Sequence, residues 1–80
     1  GLEALREDIL ARLGRLLASA GVSPADVTVD VERRGADLHV ALEGPQLPRP
    51  TRAALAVRVL DAVHSADTTA GQVDVGYHAR

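Results

Sequence analysis

The sequence predicts an α+β fold: a single small domain over residues 1–80, in the order α-β-β-α-β, with a three-stranded mixed sheet and two helices packed on one of its faces. Three observations predict it. Apolar residues recur at helical spacing in two stretches, 2–20 and 52–66. They alternate with polar residues in three short stretches, 27–33, 37–43 and 72–78. All four prolines, and every glycine but Gly14 and Gly76, stand outside these stretches.

The first stretch carries Leu2, Leu5, Ile9, Leu13, Leu16 and Ala20 on one stripe, with Leu10 and Leu17 beside it. That is the pattern of a core-facing amphipathic helix. Glu3, Glu7 and Asp8 near its start and Arg12 and Arg15 further on suit the helix macrodipole. Gly21 is placed to end it. In Ser23-Pro24-Ala25-Asp26, Ser23 caps a single turn, Pro24 opens it and Asp26 reaches back in a capping box.

Val27, Val29 and Val31 then alternate with Thr28, Asp30 and Glu32. Leu38, Val40 and Leu42 alternate with Asp37, His39, Ala41 and Glu43. Arg34-Gly35-Ala36 joins the two as a tight hairpin turn with glycine at the positive-φ position. Residues 44–50 hold Pro45, Pro48 and Pro50 and read as a loop, after which Thr51 is the expected N-cap of the second helix. Leu55, Ala56, Val59, Leu60 and Val63 share one face of that helix, and residues 65–71 form a polar loop. Val73, Val75 and Tyr77 face inward on the last strand, with Asp74, Gly76 and His78 outward. This strand follows a helical crossover, so it is expected to run parallel to the hairpin strand it joins.

Eighty residues suffice for one domain. The core must be built from Leu, Val, Ile and Ala, because Phe, Trp, Met and Cys are absent and Tyr77 is the only aromatic. Without cysteine there are no disulfides or thiolate metal sites, which points to a reducing, cytoplasmic setting. The chain does not begin with Met, so it is expected to be a piece of a larger protein. All nine basic residues are Arg, a sign of a GC-rich, bacterial genome. A formal net charge of −2 gives no broad attraction to nucleic acid or anionic lipid. No apolar run is long enough to insert in a bilayer.

Chemistry-bearing residues are few. His39, His78 and Asp74 all fall on the polar face of the sheet with Asp30, Glu32 and Glu43. Imidazole and carboxylate together are a ligand set for zinc or nickel, so a metal- or ligand-responsive regulatory domain is one alternative. Asp61, His64 and Ser65 do not make a nucleophilic triad, since neighbouring helical residues diverge by about 100°. No phosphate-binding or nucleophile-elbow motif is present. The expectation is therefore no enzyme and no cofactor.

Two surfaces suit a protein partner or a second copy. On the first helix Ala4, Ala11 and Ala18 recur every seven residues opposite the core stripe. The sheet must also end in open edges. Arg33-Arg34 and the Arg49, Arg52, Arg58 group are the basic clusters. The main expectation is a non-catalytic protein-interaction or self-assembly domain.

The element order resembles that of BON domains, of ring-building motifs in secretion assemblies, of the cytoplasmic domain of cation diffusion facilitators, and of half a ferredoxin-like fold. Gly35, Gly44 and Gly71 match part of the BON glycine pattern. The resemblance implies self-association or a place in an envelope complex. The same elements also resemble KH-like nucleic-acid-binding modules, but the GxxG loop those domains place between helices is missing, and acids rather than stacking aromatics face out of the strands.

Overall fold

The structure is a computed structural model that describes residues 1–67 and 69–80. Helix α1 (Leu2–Ser19) is followed by a 3₁₀ turn (Pro24–Asp26), the hairpin β1 (Thr28–Arg34) and β2 (Asp37–Gly44), helix α2 (Arg49–Ala66) and strand β3 (Val73–Ala79). The three strands lie in the order β1-β2-β3. β1 pairs antiparallel with β2, and β3 runs parallel to β2. The predicted fold class, element order and parallel return are all present.

The core is a single aliphatic cluster. Leu5, Ile9, Leu13 and Leu17 from α1 meet Leu55, Val59, Ala62 and Val63 from α2 above Val29, Leu38, Val40 and Leu42 of the sheet. α1 lies against β1, α2 against β3, and the helices against each other. No polar or charged residue is buried among those described. Each helix thus presents a row of residues four apart, the ridge that fits between its neighbour's side chains.

That geometry corrects the expected stripe of α1. Leu17 is fully buried, Leu16 is partly covered, and Ala20 is exposed at the C-cap. A ridge of i+4 steps turns gradually round the helix, so its last member is Leu17. On α2, Ala62 is buried and Leu60 is only partly covered.

The helix ends have separate causes. Gly21 adopts φ 76°, and the N–H groups of Gly21 and Val22 donate to the carbonyls of Ala18 and Leu17, which closes α1 in a Schellman motif. The Ser23 hydroxyl accepts from the Ala25 N–H at 3.3 Å, but no side-chain bond from Asp26 completes the expected capping box. α2 begins earlier than expected, at Arg49, and Thr51 is an interior residue rather than its N-cap. Pro48 is fixed at φ −60°, ψ 152° and Pro50 fills the first turn, where a missing N–H costs nothing. Two of the three loop prolines therefore start the helix. The hairpin turn narrows to Gly35-Ala36, with Gly35 at φ 63°. The expected loop 65–71 includes residue 68, which lies outside the described residues.

Candidate functional site

Alternation places the polar strand positions on the sheet face away from the helices, and register sets them in rows. Glu32, His39 and Asp74 form one row, Asp30, Ala41 and Gly76 the next, and Thr28, Glu43 and His78 the third. The middle row is short-chained, so an open hollow of about 340 Å³ lies between the other two.

The structure brings His39 and Asp74 together, Nδ1 to Oδ2 at 3.4 Å. His78 lines the same hollow but belongs to the row of Glu43. Glu43 is engaged by Arg80, whose Nε donates to Oε1 at 3.1 Å and whose Nη1 donates to the Asp26 carbonyl at 3.1 Å. Among the described residues, no three His, Asp or Glu side chains come together in a group that could hold a metal ion.

Arg33 and Arg34, at the end of β1, are both matched by acids of this chain. Arg34 donates to Glu32, and that hydrogen bond, with the guanidinium charge, holds the Glu32 carboxyl below its ordinary range. Arg33 reaches Asp67 at 3.4 Å. The Asp67 carboxyl is held low chiefly by the Thr69 hydroxyl and N–H, at 2.7 and 3.0 Å, and then by Arg33. Ala4, Ala11 and Ala18 are exposed on α1. Ala4 and Arg33 line one hollow of about 400 Å³ with Leu2, Leu5, Ala66 and Asp67, whereas Ala11 and Ala18 do not reach it.

The sheet has two open edges, and they differ. β1 carries Asp30, Glu32, Arg33 and Arg34 in its seven residues, a charge density that discourages pairing. β3 reads Val-Asp-Val-Gly-Tyr-His-Ala, with one carboxylate and one imidazole. Leu38 N–H donates to the Gln72 carbonyl and Arg80 N–H donates to the Gly44 carbonyl, so the even-numbered residues of β3 bond to β2. The N–H and C=O groups of Val73, Val75 and Tyr77 then point to the open side.

Val73, Val75 and Tyr77 are only partly covered by α2. Beside them runs a groove of about 290 Å³ between α2 and β3, lined by Arg49, Arg52, Ala53, Ala56, Val75 and Tyr77. The Tyr77 hydroxyl donates to the Pro45 carbonyl, and burial pushes the phenol above its usual value against the opposing charge of Arg80. Sequence reasoning located the strands but not the exposed one, because pairing order depends on how the crossover packs. The lower charge of 73–79 relative to 28–34 was the signal available.

No protein-family model, curated protein or solved structure matches the chain. The resemblance to BON and related modules thus rests on element order, and a shared order carries no function with it.

Proposed function

We propose that this chain is a non-catalytic protein-interaction and self-assembly domain that binds by adding a strand to its sheet at β3. The supporting observation is the open β3 edge: a row of unpaired backbone groups beside a partly apolar groove. That combination serves strand addition, in which main-chain hydrogen bonds supply affinity and alternate side chains enter a groove. No helix among the described residues is long and apolar enough to cross a membrane. A cysteine-free chain suits a cytoplasmic setting, which fractionation of the source cells would check.

The test compares wild type with Val75→Pro, which removes an outward N–H from β3 without touching the bonds to β2. Amide shifts are followed as the purified chain is concentrated, and proteins retained from the native extract are quantified for both forms. Binding that the proline abolishes is expected. If shifts never move and retention is equal for the two forms, the proposal fails.

A further inference from the structure

Resting on the β3 reading, we infer that the occupant of this edge is β3 of a second copy, paired antiparallel about a two-fold axis through Gly76 to give a continuous six-stranded sheet. The sequence of β3 is complementary to its own reverse in that register. Val75 lies opposite Tyr77 of the other copy on the apolar face, Asp74 lies opposite His78 on the wet face, and Gly76 meets itself. β-Branched residues opposite aromatics are favourable pairs, and a carboxylate opposite an imidazole sets a hydrogen-bond acceptor against a donor.

The backbone selects the same arrangement. Outward N–H and C=O groups belong to odd-numbered residues, so Val75 opposite Tyr77 makes a hydrogen-bonded pair. Asp74 opposite His78 then falls at a non-hydrogen-bonded pair, where side chains stand closer. Neighbouring registers are poorer. Moving the two-fold to Val75 sets Asp74 against Gly76 and loses both Asp74–His78 pairs, and moving it two residues, to Asp74 or to His78, sets that residue against itself. The register that would offer Asp74 to Arg80 requires Arg80 to leave Glu43 and Asp26.

Charge continues the pattern beyond the two strands. Across the joined sheet, a row runs Glu32, His39, Asp74, then His78 and Glu43 of the second copy, acid and imidazole alternating throughout. On the helical side, Ala53 and Ala56 line the groove beside Val75 and Tyr77, and their short side chains leave room above the strand that a second copy must pair with.

Sedimentation of the purified wild-type chain at rising concentration is expected to show a dimer. Because the chain has no cysteine, Gly76→Cys should give a disulfide-linked dimer on mild oxidation, while Thr28→Cys on the opposite edge should not. His78→Asp puts carboxylates together twice and Asp74→Lys removes both carboxylate–imidazole pairs, so each should weaken association about tenfold. Mixed, the two variants set the introduced lysine of one copy against the introduced aspartate of the other and leave one native Asp74–His78 pair. The mixture should therefore dimerise more tightly than either variant alone. Both substitutions are at exposed positions, and circular dichroism checks that each variant folds. A wild-type chain that stays monomeric up to millimolar concentration, linkage through Thr28 rather than Gly76, or a mixture no tighter than its components would each overturn the inference. If the purified chain is monomeric while the native extract yields a partner that Val75→Pro abolishes, self-pairing falls and edge binding stands. Loss of both removes both.

Discussion

Gly44 shows how one hydrogen atom in place of a methyl group shapes the end of β3. A Cβ built there would lie 2.8 Å from the Tyr77 hydroxyl, 3.1 Å from Val27 Cγ2 and 3.3 Å from the Asp26 carbonyl. The tyrosine swings over β2 to reach Pro45 because nothing projects from Gly44. Gly44→Ala is therefore expected to cost about 1–3 kcal/mol, as overpacked sites do. Adding Tyr77→Phe removes the nearest clashing atom, so the pair should be less destabilised than the sum, measured as a double-mutant cycle in urea. Asp67 offers a second test at this scale. Its folded carboxyl titrates below the unfolded value, so its stabilising effect is present above the unfolded range and is lost as pH falls through the lower folded one. Asp67→Asn should lower the melting temperature at neutral pH and converge with wild type in acid.

At the scale of elements, the two helices test where periodicity is a sound guide. Leu13→Ala removes a fully buried side chain from the middle of the α1 row and is expected to cost about 2–5 kcal/mol. Thr51→Ala should change stability by less than about 0.5 kcal/mol, since Thr51 caps nothing, whereas a true N-cap loses about 1 kcal/mol. Chemical denaturation of the two variants checks both figures. The strands and helices were legible because Val29, Leu38, Val40, Leu42 and Val75 keep strict alternation, and Leu5, Ile9 and Leu13 keep helical spacing. The ends were not. Whether Pro48 and Pro50 close a loop or open a helix depends on backbone angles that composition leaves free. Choosing Leu17 over Leu16 needed the direction from which α2 approaches.

For the whole molecule, the wet face and its His39, His78 and Asp74 were legible from parity alone, and the structure adds that only His39 and Asp74 meet. The exposed identity of β3 was not legible, because it follows from the crossover returning beside β2 and away from β1. Two clips fix that return: Gly71 N–H donates to the Ala36 carbonyl at 2.8 Å, and Gln72 N–H donates to the Asp37 carboxylate at 2.9 Å. Both reach the hairpin turn from the start of β3. Asp37→Ala should therefore loosen the entry to β3 before the rest of the sheet, seen as faster hydrogen exchange at Leu38 and Asp74 than at Asp30 or Val40. The lone aromatic ring has a practical consequence here. Tyr77 stands half-covered at the rim of the groove, so its ultraviolet emission senses the place where a visiting strand would lie. Docking there can be followed by fluorescence without attaching a dye.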